Sequence, residues 1–449
     1  IFKSSDKGKT WTSISSNLPK GSVYSIEEDH VDSNLIFCGT EYGAFFSPNK
    51  GKRWKELATG LPTIAVRDIT IQERENDLVL GTFGRGFYVM DDYSALRSIE
   101  NDTPSESAKI YSVRDALSWE KSLPLGLPGK SFQGDNFYTA PNLGPEAMIT
   151  YYYNDDYKSL KEKRTKKEKE LIKNENDTPY PSYNELKAER NEESEKLVFT
   201  IKNDKGQVVK KEFKKPEKGV QRFHWDLRYT LQNPIDLSVS SFYNPWAGID
   251  EGTLVEPGTY TVDMQLYKNN ELTKLAGPIA FEVKALDNTV MPAENRAAKV
   301  AFQKEVMQLE ADLGACQTII NETNTKLKYI KAAIKRSEQP FGELTKSVVT
   351  IENKLKQIRL ELFGDSVKSK LDISQVQSPA NRIGLIGYEQ KYSTSAPTKT
   401  HKDSYAIAKG EIVVLKKRVE AVFNVDIKQL EDKLIKSGAA YTPGRGYKN

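Results

Sequence analysis

Val23-Tyr24-Ser25-Ile26-Glu27-Glu28-Asp29 returns 43 residues later as Val66-Arg67-Asp68-Ile69-Thr70-Ile71-Gln72. Leu35-Ile36-Phe37-Cys38-Gly39-Thr40 returns as Leu78-Val79-Leu80-Gly81-Thr82, and Gly43-Ala44-Phe45-Phe46 as Gly86-Phe87-Tyr88-Val89. The octapeptides Ser4-Ser5-Asp6-Lys7-Gly8-Lys9-Thr10-Trp11 and Ser47-Pro48-Asn49-Lys50-Gly51-Lys52-Arg53-Trp54 keep the same spacing. A period of about 40–50 residues holding several short strands is the pattern of a β-propeller blade. Alternation and turn residues lay one blade out as four strands: Val23–Asp29, Asn34–Thr40, Gly43–Ser47 and Arg53–Ala58.

On that layout the octapeptides fall on the turn between third and fourth strands. Asp6 and Asn49 can accept hydrogen bonds from their own turn, Gly8 and Gly51 can take a positive φ, and Trp11 and Trp54 are expected to pack on the blade's flank. Ser4, Asp6, Gly8, Trp11, Ser47, Asn49, Gly51 and Trp54 therefore read as structural. The element resembles the Asp-box of the BNR repeats found in sialidases, xyloglucanases and sortilin-type receptors, with Asn49 where the box usually has Asp. That scaffold serves enzymes and receptors alike, so it does not choose between them. The resemblance implies ligand binding at the end of the blades away from the Asp-box, where Tyr42, Phe83 and Arg85 are the candidate contacts; an Arg85 that stacks on a neighbouring blade is the structural alternative. Residues 1–98 hold about two and a half blades, too few to close a ring, and Ile1 opens inside a strand, so the expectation is the last blades of a larger propeller whose N-terminal part is absent.

The 449 residues leave room for two to four domains. With 66 basic against 62 acidic residues, a net charge of +4 gives no broad basic field, which argues against nucleic acid as a partner. Cys38 and Cys316 fall in different segments and read as unpaired buried thiols. Together with only three histidines they provide no metal-ligand spacing, and no cofactor is expected. No stretch reaches the roughly 20 apolar residues of a membrane helix.

From about 105 to 286 the strands lie further apart: Met148–Tyr153, Lys196–Asn203, Gln207–Phe213, Gly219–Asp226, Gly258–Tyr267 and Ile279–Lys284. Their number and length fit an immunoglobulin- or fibronectin-III-like sandwich. Residues 158–195 interrupt it with dense mixed charge on both sides of Pro179-Tyr180-Pro181, which predicts a projecting helical hairpin with solvated faces. His224 and Asp226 flank Trp225 on one strand and read as structural rather than as an acid/base pair.

The resemblance widens here. Gly81-Thr82-Phe83-Gly84-Arg85-Gly86-Phe87 with Asp91-Asp92, Tyr151-Tyr152-Tyr153, the Pro-Tyr-Pro insertion, Phe223-His224-Trp225-Asp226-Leu227-Arg228-Tyr229 and Pro257-Gly258-Thr259-Tyr260 are similar, in order, to the C-terminal portion of large bacterial sortilin-like BNR-repeat proteins, often labelled glycosyl hydrolases. It implies export to the periplasm, cell surface or medium.

From 291 to 438, Val306, Leu309, Leu313, Cys316, Ile320, Thr323, Leu327, Ile330 and Ile334 recur at steps of three and four. Leu344, Val348, Ile351, Leu355, Ile358 and Leu362 repeat the pattern after a break at Pro340. Beyond a loop rich in Ser, Pro and Thr, Ile412, Leu415, Val419, Val422, Leu430 and Leu434 form a third stripe. These predict an antiparallel three-helix bundle, followed by a turn-rich tail at 439–449.

Two functions compete: an exported binding or assembly protein with a peptide or glycan ligand, and the accessory C-terminal half of a glycoside hydrolase. Hydrolysis needs two carboxylates set apart across a sugar cleft, whereas Glu41 and Asp68 are single acids on blade elements, and the catalytic residues of such an enzyme would lie in the absent blades. The sequence favours binding.

Overall fold

The computed structural model of the chain describes residues 1–99, 106–120, 140, 143–238, 251–287, 289–337 and 341–445, apart from the side chain of Phe341. The chain divides into two compact units, Ile1–Ala116 with Glu146–Trp225 and Gly258–Lys284, and Leu117–Pro145 with Asp226–Pro257 and Ala285–Asn449.

In the first unit β1 (Phe2–Lys3) pairs with β2 (Thr12–Ser13). The repeat then forms two antiparallel sheets in sequence order. The first is β3 (Val23–Glu28), β4 (Ile36–Thr40), β5 (Ala44–Ser47) and β6 (Lys55–Glu56), and the second is β7 (Val66–Gln72), β8 (Asp77–Thr82) and β9 (Phe87–Met90). The fourth strand, expected over Arg53–Ala58, shortens to two residues in the first repeat.

Leu35, Phe37, Ala44 and Phe46 of the first sheet share a core with Val66, Ile69, Leu78 and Leu80 of the second. A Cβ on Gly39 would lie 2.5 Å from the Val66 carbonyl oxygen, so glycine is what lets β7 approach β4 this closely. The exit from the second sheet is pinned at Asp29, which is 3% exposed: Arg97 donates to it at 2.7 and 2.8 Å and the Tyr93 hydroxyl at 2.5 Å. Burial opposes ionisation of Asp29, but these hydrogen bonds outweigh it and hold the carboxyl down at about 2.

The chain continues through β10 (Ala108–Ile110), β11 (Ala116–Ser118), β12 (Ala147–Tyr153), helices α1 (Leu160–Lys173) and α2 (Tyr183–Asn191), then β13 (Lys196–Asn203), β14 (Val208–Lys214), β15 (Gly219–Trp225), β16 (Gly258–Lys268) and β17 (Glu271–Ala285). The strands form two sheets, ordered β10-β12-β15 and β11-β17-β16-β13-β14. Their inner faces meet through aromatic rings: Phe199 lies 4.7 Å from Tyr151 and 4.6 Å from Phe223, and Trp225 lies 5.4 Å from Tyr260. The last strand begins at Glu271 rather than Ile279, because Asn269 and Asn270 take φ values of 52° and 64° and close a tight hairpin with β16. The charged insertion is helical on both sides of its bend. Each helix opens with a capping box, Ser159 with Glu162 and Ser182 with Glu185, and neither buries a residue. Arg164 clamps the two helices, its Nε and Nη2 donating to the Glu189 carboxylate at 2.6 and 3.0 Å.

In the second unit α3 (Arg296–Ile334), α4 (Phe341–Phe363), the short α5 (Ser366–Lys370), α6 (Pro379–Lys391), α7 (Lys399–Ala421) and α8 (Ile427–Lys436) follow, a π-helical turn at Val422–Asp426 linking the last two. Every position of the three sequence stripes is buried in one core. The expected count of three helices is corrected: α6 lies within the stretch read as loop and adds Ile383 and Ile386 to that core. Ion pairs give the directions. Lys354 meets Asp426 and Glu361 meets Arg418, so α4 opposes α7–α8, whereas Asp312 meets Lys416 and Lys326 meets Glu431, so α3 runs with them. Gln303 and Glu310 of α3 face Gln390 and Gly387 of α6, which therefore runs with α4. Among the described residues the bundle is four-membered and not a simple antiparallel three.

Candidate functional site

The turns of the two repeat sheets cluster at opposite ends. The octapeptide turn Ser47–Trp54, between β5 and β6, lies at one end, and at the other lie Glu41–Gly43, Phe83–Gly86 and the starts of β3 and β7. Both starting strands carry a bulge at the same repeat position: register shifts between Val23 and Ser25, and between Val66 and Asp68. A bulge re-aims the extra residue out of the alternation. The extra residues are Tyr24 and Arg67, and they meet: the Arg67 guanidinium stands 3.9 Å over the Tyr24 ring and 5.2 Å from the Phe83 ring. The close approach that Gly39 permits at Val66 sets this stack.

The Tyr24 hydroxyl donates to Glu41 at 3.2 Å, and Tyr42, next in the chain, is 45% exposed while Phe83 is 69% exposed. Tyr42 is held by its own amide, which donates to the Thr40 hydroxyl at 3.1 Å. Among the described residues Arg67 makes no hydrogen bond or ion pair, so its N–H edge stays open to solvent between two rings. An arginine oriented in this way can receive a carboxylate in bidentate fashion, and exposed rings beside it can stack on a sugar or a planar side chain.

Of the residues singled out in the sequence, Tyr42 and Phe83 come to this cluster. Arg85 projects from a turn with positive φ at Gly84 (90°) and Gly86 (68°) and makes no contact with a neighbouring ring among the described residues; Arg67 takes the stacked place instead. Tyr24 and Arg67 were missed although the repeat aligns them, because a bulge leaves no mark in an alternating pattern. Ser47, Asn49 and Gly51 lie in the β5–β6 turn at the far end, and Ser4, Asp6 and Gly8 in the turn of the separate β1–β2 hairpin. Trp54 is 2% exposed and packs as expected, but Trp11 is 63% exposed and does not.

Burial, then the Asp68 and Glu73 charges, push Glu27 upward. His224 pairs with Glu146 at 3.0 Å, and Asp226 accepts from the Arg228 amide, so neither faces the other across a cleft. In the second unit, burial pushes Glu120 up to about 7 against the pull of Arg228 and Lys299. It lines a cleft with Trp119 and Lys299, a site that no motif announces. Among the described residues there is no group of three or more His, Cys, Asp or Glu placed to hold a metal ion, and no helix is long and apolar enough to cross a membrane. Cys38 and Cys316 are free and buried, and burial pushes the Cys38 thiol up to about 12. No model of a known protein family and no curated protein matches the chain.

Proposed function

We propose that the chain is the C-terminal part of an exported, propeller-based binding or assembly protein, and that its ligand, a peptide or glycan, rests on the Tyr24–Arg67–Phe83 stack with Tyr42 beside it. The two repeat sheets are read as blades of an Asp-box propeller, supported by their common period, meander order and shared core. The two aromatic-cored sheets are read as an immunoglobulin- or fibronectin-III-like support.

The observation that carries the reading is a guanidinium fixed between two rings with its N–H edge unpartnered among the described residues. A charge-assisted contact of this type contributes about 1.5–3 kcal/mol, which is about tenfold or more in affinity. Retention of the protein on panels of acidic and neutral glycans and of peptides tests it, with reducing ends counted in the same wells. The expected result is retention without new reducing ends, weakened at least about tenfold by Arg67→Ala and less by Tyr42→Ala. Retention unchanged in both Arg67→Ala and Phe83→Ala would remove the site, and release of reducing sugar would move the reading to glycoside hydrolysis.

A further inference from the structure

Helix α7 opens with a capping box in which the third residue is a histidine, where Glu or Gln is usual. The Thr398 amide donates to His401 Nδ1 at 3.3 Å, and the His401 amide donates to the Thr398 hydroxyl at 3.2 Å. A second donor meets the same ring nitrogen: Gln390 Nε2, from the end of α6, stands 3.0 Å away. The other ring nitrogen, Nε2, faces the Glu389 carboxylate at 2.6 Å. Two donors on Nδ1 and a carboxylate on Nε2 fix one tautomer, with the proton on Nε2. Gln390 is 3% exposed, and its Oε1 has no hydrogen-bond partner among the described residues.

We propose that His401 is a proton-operated latch on the connection between α6 and α7: neutral, it accepts from the Thr398 amide and the Gln390 side-chain amide, and protonated, it releases the Thr398 amide and turns the Gln390 amide over. A proton on Nδ1 would point at two N–H groups that now donate to it, so the Thr398 cap breaks. The Gln390 amide must turn, and the oxygen it brings round is the one that now lacks a donor. The Glu389 carboxylate faces one edge of the ring and the first turn of α7 the other. Glu389, Gln390 and His401 line a cleft to which neighbouring segments add Glu294, Lys299 and Lys402, while Lys399 pairs with Asp403. The clash of donors at Nδ1 sets what happens when the ring takes up a second proton. Opening would free the first turn of α7, while Ser393, Thr394 and Ser395 stay tied to Lys299, Ala293 and Met291.

Histidine is the side chain whose charge ordinarily changes between pH 5 and 8. The chain has three histidines, so each ring can be followed by nitrogen NMR in the intact protein. At pH 8, His401 is expected to show an unprotonated Nδ1. On going to pH 5, the protection factors of the Thr398, His401 and Lys402 amides should fall about tenfold relative to those of Val348 and Ile351 in α4, and the Gln390 side-chain amide signals should shift. His401→Gln keeps a capping-box acceptor without the titration, so it should fold with the cap in place and lose the pH response. A protonated Nδ1 at pH 8, flat protection between the two pH values, or an unchanged response in His401→Gln would each overturn the latch.

Discussion

The turns Ser4–Trp11 and Ser47–Trp54 make the same local bonds in different surroundings. In each, the serine hydroxyl accepts from the glycine amide, Gly8 at 2.7 Å and Gly51 at 2.8 Å, and donates to the next acidic or amide side chain at 2.9 Å. Asp6 and Asn49 then accept from the amide four residues on, at 2.8 and 2.9 Å. Lys7 and Lys50 both sit at φ 60°. The tryptophans part company. Trp54 packs with Ile14 and Leu18 and donates its ring N–H to the Ile14 carbonyl at 2.8 Å, whereas Trp11 stands in solvent. The octapeptide thus encodes a turn, and only a neighbouring segment turns its tryptophan into core.

Deleting the rings gives the sharpest contrast. Trp54→Ala should cost about 3–5 kcal/mol as a buried aromatic truncation, whereas Trp11→Ala, at an exposed position, should stay within about 0.5 kcal/mol. Hydrogen exchange over residues 1–60 reads both, and equal losses would mean that Trp11 is buried in solution. The glycines come next. Gly8→Ala and Gly51→Ala both pay for a left-handed φ, 86° and 81°, about 1–2 kcal/mol each. A Cβ at position 8 meets nothing closer than the Trp11 ring at 3.8 Å, but at position 51 it would sit 2.7 Å from Ile14 Cβ. Gly51→Ala should therefore be worse by about a further 1–3 kcal/mol of overpacking. Similar costs at the two positions would show that Ile14 yields.

The same distinction between local and surrounding structure explains what could be read beforehand. The helical stripes were legible because the large buried aliphatic side chains of α3, α4, α7 and α8 fall mostly on seams with steps of three and four. Helix α6 was not, since it buries few apolar side chains and carries Gly384 and Gly387, poor helix formers. Yet a Cβ at Gly387 would overlap the Glu310 carboxylate, so its glycine answers to α3 and not to its own helix. Its start was announced by Ser378 capping the Asn381 amide with Pro379 at the first helical position. At the candidate site the loop residues Tyr42 and Phe83 were legible from topology. The bulged pair Tyr24 and Arg67 depends on how two sheets pack, as does Glu120 on Arg228 and Lys299, far from it in sequence.

The smallest expected effect separates Asp6 from Asn49. Asp6 has a further partner: the Thr10 hydroxyl donates to its second oxygen at 2.7 Å, while at the matching position the Arg53 amide donates to Asn49 Oδ1 at 2.9 Å. An amide side chain therefore suffices at position 49, and a carboxylate is of more use at position 6. The Thr10 amide, then the Thr10 and Ser4 hydroxyls, hold the Asp6 carboxyl at about 2, below its ordinary 3.8. Because the folded value lies below the unfolded one, the stabilisation is complete above pH 4 or so and is lost as pH falls through the folded value. Protection of the first turn should thus decline between about pH 4 and 2 in the wild type and decline less in Asp6→Asn. The second turn should stay flat over that interval in the wild type and acquire a slope in Asn49→Asp. If Asn49→Asp leaves the second turn flat while Asp6 titrates as described, the Thr10 hydroxyl and not the shared turn amide is the source of the shift, and Arg53→Thr in the Asn49→Asp background should restore it.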